Sequence, residues 1–213
     1  LAHSLSYCRE NGDRNGEALN LANLAIAQGE LGEVHSADAN FLASLGIYRE
    51  LGNRRMISIT QGNMANLYKQ QGRTDESMRL YEQALLGIRE VGDRRAAANI
   101  LGNLGNIYRH WGDLKKAETY LRECIEIGTE VDNQRLIGLG NGNLGDLLLD
   151  QGHLTAARAC LSHAIEYCTE TIPMAEGAFK GSLALLEARE GHMQRAFQLL
   201  AEGEALLKSG NQQ

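Results

Sequence analysis

Apolar residues along this chain return at intervals of three and four. Over 94–110 the recurrent positions are Ile100, Leu101, Leu104, Ile107 and Tyr108; over 113–130 they are Leu114, Ala117, Leu121, Cys124 and Ile125. That spacing lines one face of an α-helix. No segment alternates apolar and polar with period two, which excludes a forty-residue β-propeller blade. Glycines punctuate the helical stretches: Gly32, Gly72, Gly112 and Gly152 are forty residues apart, and Gly191 follows after thirty-nine. A second series, Gly12, Gly52 and Gly92, is offset by twenty and continues through Asp132 and Ile172 to Gly210. Residues 53–92 and 93–132 are identical at nine of forty positions, so the period is a true internal repeat. Each unit is therefore a first helix, a turn, a second helix and a turn. Asp13, Asn53, Asp93 and Asn133 stand one residue past the second turn, where a side-chain acceptor caps free helical N–H groups.

Within that frame, repeat three carries Leu101, Leu104, Gly105, Tyr108, Gly112, Ala117 and Leu121, and repeat four carries Leu144, Gly145, Leu148, Gly152, Ala157, Leu161 and Ala164. Repeat two has Met64, Ala65, Tyr68, Gly72, Ser77, Tyr81 and Ala84; repeats one and five follow more loosely. These residues resemble the tetratricopeptide pattern of large, small, aromatic, glycine and alanine positions. The forty-residue period and the missing closing proline resemble the arrays of Pins-type adaptors and of bacterial signalling regulators. The resemblance implies an all-α superhelical solenoid that holds another polypeptide and performs no catalysis.

The repeats are expected at 14–50, 54–90, 94–130, 134–170 and 174–208, in one solenoid domain over 1–213. Residues 1–11 align with 81–91 and are expected to be the second helix of a partial repeat, the whole being a piece of a longer protein.

Composition narrows the partner. The chain is 43% hydrophobic and 23% charged, with one proline and a net charge of −6. It has no cationic stripe, so nucleic acid is not expected. No apolar run reaches the ~18 residues of a membrane span. The four cysteines lack CxxC or disulfide-style spacing and read as buried thiols of a cytoplasmic protein. Residues 140–145, Gly-Asn-Gly-Asn-Leu-Gly, spell GxGxxG, but a dinucleotide site needs a strand before that motif and none is present. Gly102, Gly105, Gly142 and Gly145 are expected instead to let a neighbouring helix or a ligand backbone come close. The six histidines form no ligand cluster in sequence, with His153 and His192 expected on exposed turns, so no metal or other cofactor is expected.

One recurrence remains. Asn23, Asn63, Asn103 and Asn143 return every forty residues in the first helix, and Ser182 takes the place in repeat five. One turn on stand Ile26, Asn66, Asn106, Asp146 and Leu185. Asparagine is a mediocre helix former. Its recurrence suits either bridging between repeats or a polar floor whose carboxamides pair with a peptide backbone. In the resembled arrays the first helix lines the concave face, and similar asparagines clamp extended peptides. Arg55, Arg95 and Arg135 near the start of that helix, with Lys69 and Arg109 near its end, would frame the floor with positive charge and favour an acidic segment. The expected function is a peptide-binding scaffold module; the alternatives are a sensor for a short signalling peptide and a regulatory lid for an attached effector. Apolar stripes at the ends further suggest end-to-end self-association.

Overall fold

The computed structural model describes residues 2–169 and 171–210, and it is all helix and turn. Eleven helices appear among the described residues: α1 (Ala2–Glu10), α2 (Arg14–Glu30), α3 (Val34–Glu50), α4 (Arg54–Gln70), α5 (Thr74–Glu90), α6 (Arg94–Trp111), α7 (Leu114–Glu130), α8 (Gln134–Asp150), α9 (Leu154–Cys168), α10 (Pro173–Arg189) and α11 (Met193–Gly210). They are antiparallel and pack in consecutive pairs, an α-α solenoid of the type the repeat predicts. The chain divides into two compact units, one ending at Ile100 and the other beginning at Leu101.

The turns explain both glycine series as far as Asp132 and Gly191, whereas Ile172 departs, with φ −140° as the residue before α10, and Gly210 belongs to α11. Gly12, Gly32, Gly52, Gly72, Gly92, Gly112, Gly152 and Gly191 all have positive φ, the left-handed conformation that closes a helix without a Cβ penalty. Two backbone bonds finish most of these stops. After α2, the Gly32 N–H donates to the Gly29 carbonyl at 3.1 Å and the Glu33 N–H to the Gln28 carbonyl at 2.8 Å. Asp132 holds the same conformation at φ 47°, and Asn133 and Asp132 repeat the same two bonds to Gly128 and Thr129. The following residue then starts the next helix. Asp13, Asn53, Asp93 and Asn133 each accept from the N–H three residues on, at 2.8–3.2 Å, as the sequence predicts. Asp113 caps α7 in the same way.

In the first unit, Ala25, Ala37, Phe41, Leu45, Met64, Leu67 and Tyr68 form one buried cluster between α2, α3 and α4. Leu5, Ala18, Leu21, Ile47 and Tyr48 form a second, seating α1 on α2. Two buried serines replace alanine without stranding a hydroxyl: Ser44 donates to the Ala18 carbonyl and Ser77 to the Ala65 carbonyl, both at 2.8 Å. In the second unit Leu104, Leu121, Leu147, Leu161 and Leu186 are fully buried.

Several helical glycines there serve close approach. A Cβ on Gly105 would sit 2.5 Å from Leu121, and one on Gly145 would sit 2.7 Å from Leu161. Gly142 lies under the Phe179 ring, where a Cβ would come within 2.1 Å. The GxGxxG string is thus a packing face inside α8, as its missing strand implies. Between α10 and α11 the approach is backbone to backbone: a Cβ on Gly177 would meet the Gly203 carbonyl oxygen at 2.8 Å.

Ion pairs repeat with the turns. Arg14 reaches Glu50 at 2.6 Å and Arg54 reaches Glu90 at 3.0 Å, each joining the start of one helix to the end of the next. All four groups are well exposed, so each pair contributes little to stability.

Candidate functional site

The recurrent asparagines fall into two rows, one in each unit. In the first unit, Asn23 lies exposed on α2, while Asn63 and Asn66 are half-buried on α4. The Asn23 and Asn63 carboxamides have no hydrogen-bond partner among the described residues. Asn66 differs, because the Tyr81 hydroxyl of α5 donates to its Oδ1. That contact occupies the acceptor and leaves the Asn66 amide as donor. Asn63 and Asn66 line a recess of about 100 Å³ between α2 and α4, together with Ala25, Ile26, Gly29 and Phe41.

In the second unit, Asn103, Asn106 and Arg109 descend α6, and Asn143 and Asp146 descend α8, all half-buried. The Asn106 and Asn143 carboxamides have no hydrogen-bond partner among the described residues, whereas Asn103 is engaged. Asp146 lies 3.6 Å from the Arg109 guanidinium, and Asp150 lies 3.3 Å from it. Burial pushes the Asp146 carboxyl up, against the pull of a Ser182 hydrogen bond and the Arg109 charge. One Asp146 oxygen and the Arg109 Nε are both buried without a partner. This end of the row is a charge network within the fold.

The cations expected to frame the rows divide likewise. Arg55 is held by Asp93, whose carboxylate also caps α6, at 2.7 Å. Arg109 is held by Asp146 and Asp150. Arg95 and Arg135 are exposed and form no ion pair among the described residues; Lys69 is exposed and engaged. The signal for the paired arginines was in the sequence: an acid stands 38 positions after Arg55 and 37 after Arg109 (146 − 109).

Other asparagines show what structural use looks like. Asn20 donates to the Gly16 carbonyl at 2.9 Å and Asn141 to the Ile137 carbonyl at 2.8 Å, while Asn40 donates to Gln28 at 2.7 Å. The carboxamides of Asn63, Asn106 and Asn143 are not spent in this way.

A second polar cluster escaped the sequence reading. His192, on an exposed turn as expected, places Nδ1 2.9 Å from Glu187 and 3.8 Å from Glu190. Arg158 already pairs with both carboxylates, and with His192 it holds the Glu187 carboxyl below its ordinary range. The cluster ties α9 to α10 and to the turn before α11.

A family model described as tetratricopeptide repeat matches residues 56–130, and a second model with the same description matches residues 140–170. No curated protein sequence matches the chain. Among solved structures, BtubC (BKLC) from P. vanneervenii is similar at 19% identity and a TM-score of 0.83, covering 99% of this chain and 89% of that one. The apo form of RapI is similar at 15% identity and a TM-score of 0.78, covering 92% of this chain and 72% of that one. Aspartyl phosphate phosphatase F from Bacillus subtilis is similar at 14% identity and 0.75, covering 97% of this chain and 55% of that one. At these identities the likeness is one of fold. No helix among the described residues is long and apolar enough to cross a membrane.

Proposed function

Because the chain is an array of tetratricopeptide repeats, we propose that it is a non-catalytic module that holds an extended polypeptide segment, with the first-helix row of each unit as the contact surface. One observation carries this reading. Asn63 in the first unit, and Asn106 and Asn143 in the second, keep half-exposed carboxamides with no partner among the described residues, on helices where the other named asparagines are tied down. A carboxamide offers a donor and an acceptor side by side, the complement of a peptide group. An extended chain rises about 3.3 Å per residue, so carboxamides on neighbouring helices 8–10 Å apart meet every third residue. Arg95 and Arg135 give the surface cations that an acidic segment would use. Asn23, Asn66, Asn103, Asp146, Arg55, Lys69 and Arg109 belong to the same rows, several through contacts that stiffen them.

Peptides selected from a random extended library on the full chain test the proposal. Asn63→Ala or Asn143→Ala is expected to cost about 0.5–1.5 kcal/mol per lost bond, a loss of roughly 2- to 13-fold in affinity, at unchanged helical content. Equal affinity of both variants for every selected peptide would remove the rows from the site.

A second contact surface rests on a separate observation. On α11, Met193, Phe197, Leu200 and Leu207 are exposed at spacings of four, three and seven, one apolar stripe of a helix. The corresponding positions Leu161 and Cys168 of α9 are buried. The stripe supports self-association through the end helices at high concentration.

A further inference from the structure

From the recess between α2 and α4 we infer that the first unit's row has a side-chain subsite: it takes a neutral, small aliphatic side chain of the bound segment, valine in size. The inference rests on the peptide-holding reading and specifies one residue of the ligand.

The repeat pattern sets this position apart. Where α4, α6 and α8 carry Asn66, Asn106 and Asp146, α2 carries Ile26, an apolar residue matched at this register by Leu185 of α10, which does not line the recess. Ile26 is 37% exposed at the mouth of the recess, although it is fully apolar. Ala25, Phe41 and Leu67 are buried at the base, and Asn63, Asn66 and Gln70 complete the opposite wall. Gly29 lets α2 settle against α4, since a Cβ there would lie 2.8 Å from the Leu67 Cδ1. The site therefore has an apolar wall and base beside an unpaired carboxamide. A peptide group bonded by Asn63 would direct its own side chain onto Ile26.

Size and charge decide the class. An apolar cavity of about 150 Å³ takes up benzene. The recess, at about 100 Å³, has room for roughly three or four carbon atoms, so a phenyl ring would stand partly outside it. Glu30 is the one charged residue of its lining, so an acidic side chain is repelled there. The acidic positions of a ligand then belong elsewhere on the row, toward Arg95.

The test is an NMR titration of the full chain with heptapeptides Ac-Ser-Ala-Ser-X-Ser-Ala-Ser-NH2, reading the side-chain amide resonances of Asn63, Asn66 and Asn143. With X as valine, the Asn63 and Asn66 resonances should move with about tenfold tighter affinity than with glycine, from the apolar area three carbons bury. Phenylalanine at X should bind less tightly than valine, and aspartate no tighter than glycine. In Ile26→Asn, which installs the residue type of the neighbouring helices on an exposed helix face, the valine preference should fall below about threefold. Equal shifts for all four peptides at Asn63 would overturn the subsite and leave the row in place. Tightest binding by phenylalanine or aspartate would overturn the size or charge reasoning. No movement of Asn63 or Asn143 with any peptide at several millimolar would remove the row itself, and the subsite with it.

Discussion

Two glycines four residues apart on α10 should answer the same substitution with opposite signs. At Gly181 an added Cβ meets nothing within 4 Å. Alanine there gains helix propensity and narrows the unfolded ensemble, so Gly181→Ala should stabilise by up to about 1 kcal/mol. At Gly177 the Cβ would lie 2.8 Å from the Gly203 carbonyl oxygen, 3.1 Å from Leu207 Cγ and 3.3 Å from Leu206 Cβ. The nearest obstacle is backbone, which cannot rotate aside as a side chain can. Overpacking of this kind costs about 1–3 kcal/mol, and the propensity gain offsets about 1 of it. The net for Gly177→Ala is therefore a loss of up to about 2 kcal/mol, and the two variants should differ by about 1–3 kcal/mol. Urea unfolding followed by circular dichroism measures the difference. Because repeat arrays can open in parts, amide exchange across α10 and α11 should report the same order. Gly177→Ala matching or exceeding Gly181→Ala in stability would refute the claim that α10 and α11 meet backbone to backbone.

Asp93 has two tasks that two substitutions separate: Asp93→Ala should cost about 0.5–2 kcal/mol through the lost cap on Ala96, while Asp93→Asn, which keeps an acceptor and drops the charge on Arg55, should cost well under half of that in the same unfolding assay. Acid should weaken the fold through Glu17 and Glu187, whose carboxyls Arg9 with Arg14, and Arg158 with His192, hold below the ordinary 4.5. Their contribution is present above that value and is lost as pH falls through the lower folded-state values, so Glu187→Gln should flatten the urea midpoint between pH 7 and pH 3. Asp146 has the opposite sign: its raised carboxyl makes stability fall as pH rises from the ordinary 3.8 toward its own value. Phe197→Asp should abolish concentration-dependent association in sedimentation without changing helical content; equal association of both proteins would exclude the α11 stripe.

The glycine spacing carried the fold in the sequence, for a local reason. A left-handed stop and a following cap are decided within six residues, and Gly32 or Gly72 can be read without knowing the partner helix. Even the exception was legible, since Asp132 falls on the glycine series and adopts its conformation. The rows were legible only as recurrences. Whether a carboxamide is spent depends on what stands across from it: Tyr81 reaches Asn66, whereas nothing described reaches Asn63. The arginines were half legible: Arg55 and Arg109 look like free cations, yet the acids about one repeat on, Asp93, Asp146 and Asp150, stand where the first helix of the next repeat brings them alongside. The recess was out of reach of pattern reading. It follows from an apolar residue of the row, Ile26, meeting a close approach at Gly29 that no periodicity announces.

Several side-chain ties between helices share one reach. Arg14 to Glu50 and Arg54 to Glu90 each span 36 positions, Arg55 to Asp93 spans 38, and Arg189 to the Leu149 carbonyl spans 40. Each reach is about one repeat long, so under mechanical load a helix pair can let go once its own ties and those to its neighbour fail. Forty residues drawn out at roughly 3.3–3.6 Å each release on the order of 130–145 Å of contour. Tension on such a chain would be relieved in increments of that length, making the repeat a unit of mechanical give as well as of sequence.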